Sequence, residues 1–183
     1  LLGYLGQRGF LNKSIFVSES NSEVKEIIDE IVKAVKHLSK THTGALIVFH
    51  NTMGMENAME VGTKLNAKLS KELVLTIFHP NTPLHDGAVV INGDKVVASG
   101  VLLPLTEDPT LSWQYGTRHR AAIGMSEISD ATCIVVSEET GNISIAQGGV
   151  LNSIENLEQL KSELEFLYGI SESVKEKSEE EVK

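Results

Sequence analysis

The chain has 183 residues, of which 41% are hydrophobic and 22% are charged, and its formal net charge at pH 7 is -9. This length and composition predict a folded domain and exclude a wholly disordered chain, while a single cysteine excludes an internal disulfide framework and favours a reducing, cytosolic compartment. The acidic balance disfavours nucleic acid as a partner, because its phosphates are repelled by such a surface.

The two ends of the chain differ from its centre. Residues 1–19 begin without methionine and lack the basic and then apolar layout of a signal peptide, so we interpret the chain as an excised fragment, in which 1–19 is an N-terminal segment from which a preceding membrane anchor could have been removed. No apolar run in the sequence approaches the ~20 residues that would cross a bilayer. We expect one folded domain over 20–169 and a disordered, charged tail over 170–183, where Ser, Glu and Lys predominate.

In its first half, the domain has the pattern of a helix, a strand, a second helix and a hairpin. Ser20 and Glu23 have the spacing of a capping box, and apolar residues then recur at helical intervals as far as Leu38. Asn92-Gly93 predicts a tight hairpin turn, because both residues tolerate positive φ. The other elements expected here are a buried strand Ala45–Phe49, a helix from about Ser70 to Phe78, and hairpin strands Ala88–Ile91 and Val96–Leu103.

The second half alternates helices and strands in the same way. We expect a helix over about Arg118–Ile128, strands Thr132–Val136 and Ile143–Ala146, and a last helix over Ile154–Tyr168. Interleaved elements of both kinds predict a layered α/β domain with a mixed sheet. Cys133 lies inside an apolar strand, which indicates a buried structural thiol and not a nucleophile.

The first of three polar clusters, Asn81–Ala88, stands where a strand is expected to begin. Asp86 next to Gly87 can bring a carboxylate and bare backbone close to a ligand. His85 and Asp86 also supply two metal ligands of different hardness. An Asp-Gly pair is equally typical of a simple turn, and the tripeptide alone favours that interpretation.

The second cluster, Gly116–Ala122, contains Arg118, His119 and Arg120 at the expected start of a helix. Free amides and the positive end of the helix dipole suit a phosphate there, and guanidinium groups add planar donors. A solvated helix start is the alternative, but arginine in a first turn opposes the dipole unless an anion compensates for it.

The third cluster, Val136–Gly141, follows a strand and carries Ser137, Glu138 and Glu139. Its hydroxyls and carboxylates could hold phosphate oxygens and a divalent metal, although a polar hairpin turn explains them as well. Together the three clusters supply the groups that handle a metal-bound triphosphate. The sequence has no P-loop, and no GxGxxG motif follows a strand.

These clusters resemble the motifs of the diadenylate cyclase (DAC) family. The matching segments are His85-Asp86-Gly87-Ala88, Gly116–Ala122 and Ser137–Gly141, in the same order, and the resemblance extends over roughly 30–150. The loop 81–84 is similar to that of the membrane-anchored branch. No helical DNA-binding region follows, which argues against the DNA-integrity-scanning branch.

The resemblance implies a twisted mixed sheet flanked by helices on both faces. It implies that two ATP molecules condense into cyclic di-AMP, with release of two pyrophosphates and with Mn2+, Mg2+ or Co2+ as the metal cofactor. The two ATP molecules would be held by a transient face-to-face homodimer. In the full-length protein this domain would lie on the cytoplasmic side of the cell membrane, attached only through the missing anchor.

The resemblance also assigns roles to residues. Catalysis is implied for Asp86, Arg118, His119 and Arg120, with Asp86 assisting the attacking 3′-hydroxyl, and metal binding is implied for His85, Asp86 and Glu139. The residues with an implied part in nucleotide binding are Gly87, Ala88, Leu102, Leu103, Gly116, Thr117, Arg118, His119, Ser137 and Glu138.

Leu102 departs from the family pattern. Members often carry Tyr at this position, just before the Leu (here Leu103) whose backbone reads the adenine edge. Since stacking of a base on an aromatic ring is worth ~1–3 kcal/mol, adenine binding and base selectivity are expected to be weaker here. A non-catalytic ATP-binding sensor is the alternative function, and formation of cyclic di-AMP would separate the two.

Overall fold

The structure, a computed structural model, describes residues 21–50, 62–111 and 115–170. The predicted segment 1–19, the capping residue Ser20 and the predicted tail beyond Ile170 lie outside these ranges, and Ile170 itself packs against the core. In chain order the elements are α1 Asn21–Lys40, β1 Ala45–Phe49, β2 Thr63–Lys68, α2 Lys71–Phe78, β3 Ala88–Asn92, β4 Lys95–Val101, α3 Thr117–Ile128, β5 Thr132–Val136, β6 Ile143–Gln147, β7 Val150–Ile154 and α4 Leu157–Leu167.

The strands form a seven-stranded mixed sheet in the order β2-β4-β3-β1-β5-β6-β7. β1 and β3 run parallel at its centre, and the other neighbouring pairs are antiparallel. β1 and β5 pair over their whole length, from Ala45 opposite Val136 to Phe49 opposite Thr132. The ends of the central strands are therefore fixed relative to one another.

Helices cover both faces of this sheet, as the family resemblance implies. Ala45, Ile47 and Phe49 of β1 share one core with α1, α2 and α4, whereas Leu46 and Val48 share another with α3. Successive side chains of a strand point to opposite faces, so a strand between two helical layers is buried at every position and is mostly apolar. β1 and β5 are buried along their entire lengths for this reason.

Several predicted elements are confirmed. The bounds of β1 and β5 agree with those expected, and α3 begins one residue earlier than expected. α2 begins after Ser70, whose hydroxyl accepts a hydrogen bond from the Leu73 amide at 3.1 Å. Cys133 is fully buried, and this burial raises the pKa of its thiol to about 12, as a structural thiol requires.

Other predictions of secondary structure were wrong or incomplete. β2 and β7, the two edge strands, were not predicted, because they expose most of their side chains and lack a strong apolar pattern. Ile154 does not begin the last helix but ends β7 opposite Ile143. α4 starts only after Asn156, whose side chain accepts a hydrogen bond from the Gln159 amide at 2.8 Å.

The hairpin turn lies one residue further along the chain than predicted. Asn92 pairs with Lys95 across the hairpin, so Gly93 and Asp94 form the turn. Of these two residues, Gly93 has a positive φ of 69°, which is the pattern of a type II′ turn with Gly in first place. Within the described ranges, no helix is long and apolar enough to cross a membrane.

Candidate functional site

Four central strands each have one end at the same edge of the sheet, meaning the edge formed by the strand ends and not an edge strand. β1 and β3 are parallel and both begin there, after Gly44 and Gly87 respectively. β4 and β5 run the opposite way and end there, at Val101 and Val136. The segments just outside these strand ends therefore lie side by side. They include the first and the third polar clusters, which are 50 residues apart in sequence at Gly87 and Ser137.

Gly87 lets the backbone at Asp86 pass close to the end of β4. Its φ is +91°, in the region that favours glycine. A Cβ at this position would lie 2.7 Å from the Val101 carbonyl oxygen and 2.9 Å from the Gly100 carbonyl carbon. This close approach places Asp86 at the sheet edge with 89% of its side chain exposed, where a ligand can reach the carboxylate.

The His85 ring is oriented by the loop before it. Its Nδ1 lies 2.7 Å from the Thr82 carbonyl oxygen, and because a carbonyl only accepts, Nδ1 is the donor. A neutral ring then has its lone pair on Nε2, which lies 3.9 Å from Oδ1 of Asp86. Thr82 is itself held by its hydroxyl, which donates to the His79 carbonyl at 2.8 Å. The loop thus places two potential ligand atoms 3.9 Å apart.

α3 brings the second cluster to the same edge. Nη1 of Arg118 donates to Oε2 of Glu138 in the third cluster at 2.9 Å. The guanidinium occupies the space beside Gly44, where a Cβ would overlap it. The residue before the helix is Gly116, which makes no side-chain capping bond, so the first-turn amides face no capping side chain and suit an anion.

His119 and Arg120, in the first turn of α3, both contact Tyr115, which lies just before the helix. The His119 ring is stacked at a tilt on Tyr115, with 5.2 Å between ring centroids. Burial, and secondarily the charge of Arg118, holds the pKa of His119 below its usual range. Nε of Arg120 donates to the Tyr115 carbonyl at 3.2 Å. Arg120 thus braces the turn that leads into α3, and the catalytic role that the resemblance implies for it stays a prediction.

The chain leaves the sheet after β4 and crosses α3. The predicted strand Val96–Leu103 therefore ends two residues early, at Val101. The crossing is close, because a Cβ on Gly124 of α3 would overlap Pro104 and lie 2.7 Å from the Thr106 nitrogen. In this segment Leu102 is 63% exposed, whereas Leu103 packs against the core beneath α3.

The third cluster is a tight loop after β5. Ser137 N–H donates to the Asn142 carbonyl at 2.9 Å, and the Gly141 amide donates to the Ser137 carbonyl at 2.9 Å. The Ser137 hydroxyl accepts from the Thr140 amide at 3.3 Å. Ser137 is half-buried, and the side chains between it and Gly141 are exposed, so the loop presents its carboxylates outward.

No group of three or more His, Cys, Asp or Glu side chains in the described part of the chain is clustered as a metal site. His85 and Asp86 are neighbours, and the assignment of Glu139 to the same metal stays a prediction. Gly44, beside the Arg118 guanidinium, is not among the site residues predicted from the sequence. The missing signal was the pairing of β1 with β5, which brings Gly44 to the cluster of Glu138.

The chain is similar to known proteins in sequence and in fold. The family model for the DisA bacterial checkpoint controller nucleotide-binding domain (DAC) matches residues 32–151. The cyclic di-AMP synthase CdaA of Bacillus subtilis is 45% identical over 159 residues, an alignment that covers 85% of this chain and 58% of CdaA. The chain thus spans less than two thirds of the length of that relative.

Two solved structures are similar. A double mutant of DacA from Staphylococcus aureus has a TM-score of 0.78 and 42% identity, and the match covers 81% of this chain and 99% of the other. A Bacillus cereus structure, described as a hypothetical membrane spanning protein, has a TM-score of 0.68 and 46% identity, with coverage of 70% and 63%.

Proposed function

The chain belongs to the DAC family of nucleotide-binding domains, and we propose that it is a diadenylate cyclase, which condenses two ATP molecules into cyclic di-AMP and releases two pyrophosphates. The observation that carries the proposal is the meeting of three polar clusters at one sheet edge, within the region matched by the family model. The name of the 45% identical CdaA supports the same reaction.

In the proposed reaction, the ribose 3′-oxygen of each ATP attacks the α-phosphorus of the other ATP, and the bond to pyrophosphate breaks. Asp86 accepts the proton of the 3′-hydroxyl, a role supported by its largely exposed carboxylate. General-base assistance of this kind is typically worth ~10²–10⁴ in rate. Gly87 supports the same step, because only a residue without a Cβ lets the Asp86 backbone lie against β4.

Negative charge grows on the α-phosphate and on the departing pyrophosphate, so the site must supply donors there. Arg118 is held at this edge by Glu138 and by the space at Gly44, and the amides at the start of α3 lie beside it. Burial, and secondarily the charge of Arg118, holds the pKa of His119 below its usual range, which favours a neutral ring that donates a hydrogen bond to phosphate.

His85 and Asp86 supply two neighbouring donor atoms of the kinds that bind a divalent metal, and Glu139 is the proposed third ligand. His85 Nδ1 donates to a backbone carbonyl, which is the usual arrangement of a metal-binding histidine, and the opposite ring nitrogen, Nε2, lies 3.9 Å from Oδ1 of Asp86. A cation bound by both atoms would be attracted by the carboxylate charge and by the ring lone pair. His85, Asp86 and Glu139 would hold Mn2+, Mg2+ or Co2+, which when bound withdraws charge from phosphate oxygens.

We further propose that two chains must meet for each turnover. One chain carries one set of the three clusters, enough for one ATP, whereas the product needs two. Such a symmetric reaction calls for an isologous pair in which the same surface meets itself. Each chain has a net charge of -9, so long-range repulsion opposes the encounter and the homodimer is transient.

We also propose that the full-length protein holds this domain on the cytoplasmic side of the cell membrane, through a segment outside the described residues. The similarity to a Bacillus cereus protein described as membrane spanning supports the attachment. A free, buried cysteine and the need for ATP support the cytoplasmic side.

The experiment that tests the proposed activity is turnover of ATP by the purified protein with Mn2+, Mg2+ and Co2+ in turn, with products identified by mass. We expect cyclic di-AMP together with two pyrophosphates for each product molecule. Tight binding of ATP without any dinucleotide product would contradict a cyclase and would favour the nucleotide sensor.

A further inference from the structure

We propose that Ser39, in the last turn of α1, is a positioning residue for the loop Ser137–Gly141 that carries the implied phosphate and metal ligands. The inference rests on the proposed function. Its central observation is a hydrogen bond of 2.6 Å from the Ser39 hydroxyl to the Gly141 carbonyl, which joins residues 102 positions apart. A serine inside a helix usually bonds to its own preceding turn, so this contact between distant segments requires an explanation.

The last turn of α1 is itself rigidly closed. The Thr43 amide donates to the Leu38 carbonyl at 2.9 Å, and the His42 amide donates to the Ser39 carbonyl at 3.2 Å. This pair of bonds is the Schellman motif, and His42 has the positive φ, 49°, that the motif demands. The hydroxyl of Ser39 is therefore presented from a fixed backbone.

The loop lies directly on this turn. Gly141 has a φ of +73°, and a Cβ there would lie 2.5 Å from the Ser39 carbonyl oxygen and 3.1 Å from Cδ2 of His42. The loop cannot move closer, and the hydroxyl bond prevents it from moving away. Through the bond from the Gly141 amide to the Ser137 carbonyl, the anchor at Ser39 also fixes the start of the loop.

The same stretch of chain continues to the other half of the site. Gly44, five residues after Ser39, provides the space for the Arg118 guanidinium, and Arg118 pairs with Glu138 of the anchored loop. The segment 39–44 therefore supports both members of this ion pair. Loss of the Ser39 anchor should loosen the carboxylate side of the pair and leave the Gly44 side in place.

The test compares Ser39→Ala with Thr41→Ala, a matched control from the same turn. The Thr41 hydroxyl bonds only within its own turn among the described residues, to the His37 and Leu38 carbonyls and to Thr43, so its loss does not touch the loop. Ser39→Thr keeps the hydroxyl and should restore wild-type behaviour. Ser39→Cys, which keeps the size of the side chain but has a weak donor, replaces Ser39→Ala if that variant does not fold.

Two readouts are needed, and one of them does not require turnover. Exchange of the Thr140, Gly141 and Asn142 amides, followed by NMR, should become about 3- to 10-fold faster in Ser39→Ala, the range expected for loss of one hydrogen bond. The KM for ATP and the Mn2+ concentration for half-maximal rate should rise by a similar factor, with a smaller change in kcat and with Thr41→Ala unchanged in all of them.

Equal behaviour of Ser39→Ala and Thr41→Ala in loop exchange would overturn the inference, as would a change in KM without a change in exchange. The proposed function fails separately, if the wild-type protein makes no cyclic di-AMP. Exchange at the loop and binding of a non-hydrolysable ATP analogue would then still decide whether Ser39 positions the loop.

Discussion

Gly87→Ala should cost the domain about 3 kcal/mol of unfolding free energy and most of its cyclase activity. An L-residue at positive φ costs ~1–2 kcal/mol, and φ is +91° here. The new Cβ would also lie 2.7 Å and 2.9 Å from two backbone atoms of β4, and such overpacking typically adds ~1–3 kcal/mol because the strand must move. The same movement displaces Asp86, so the rate of product formation should fall more than the affinity for ATP.

Gly100→Ala is the matched control. It also replaces a glycine where β4 lies against the Asp86–Gly87 backbone, but its new Cβ would not clash with any atom. Gly100 also has a positive φ, +63°, but the nearest atom to its Cβ would be the Asp86 carbonyl oxygen at 3.5 Å, an ordinary contact. Only the conformational cost of about 1 kcal/mol should remain.

Thermal unfolding of both variants distinguishes these costs. For a chain of this length, 1 kcal/mol shifts the Tm by about 2–4 °C. We therefore expect a drop of about 6–12 °C for Gly87→Ala and of about 2–4 °C for Gly100→Ala. Equal shifts for the two variants would show that the close approach of Gly87 to β4 does not constrain the site.

The remaining predictions concern single side chains of the site. Asp86→Asn should lower the cyclase rate by ~10²–10⁴ through loss of the general base while ATP still binds, and near wild-type turnover would refute the assignment. Leu102→Tyr should lower the KM for ATP more than the KM for GTP, since the Leu103 backbone still favours adenine; equal gains measured in parallel assays would contradict base reading by this segment. Because the pKa of His119 is lowered in the folded state, the unfolded state takes up its proton first as the pH falls below about 6.5. Wild-type stability should thus decline more than that of His119→Gln between pH 7.5 and 5.5, and parallel urea titrations would falsify this if the two declines matched.

The sequence predicted the buried part of the fold well, and the reason is periodicity. β1 and β5 are buried at every position because helices cover both faces, and apart from Thr132 their residues are apolar. α1 has one continuous apolar stripe. The edge strands β2 and β7 escaped prediction because each exposes polar side chains and gains its hydrogen bonds from one neighbour. Their existence depends on pairing, which local patterns do not encode.

The three clusters of the candidate site could be identified in the sequence from their residue types. The contacts that their side chains make could not be predicted in that way. The Arg118–Glu138 pair depends on the antiparallel pairing of β5 with β1. The orientation of His85 depends on the Thr82 carbonyl. Every residue has a backbone carbonyl, so the residue type does not show which carbonyl will accept a hydrogen bond. Such supporting contacts are visible only in the three-dimensional structure. The metal set His85, Asp86 and Glu139 stays a prediction.

In the proposed reaction, two chains, each holding one ATP, act together in one turnover. The most direct test of this two-chain reaction is the specific activity of cyclic di-AMP formation at saturating ATP and metal, measured over a hundredfold range of protein concentration, with sizing at each concentration. Specific activity should rise with protein concentration and level off as the homodimer is populated. The dimer should also be stronger in moderate salt, which screens charges beyond ~8–10 Å. Constant specific activity from a protein that stays monomeric throughout would contradict the two-chain site.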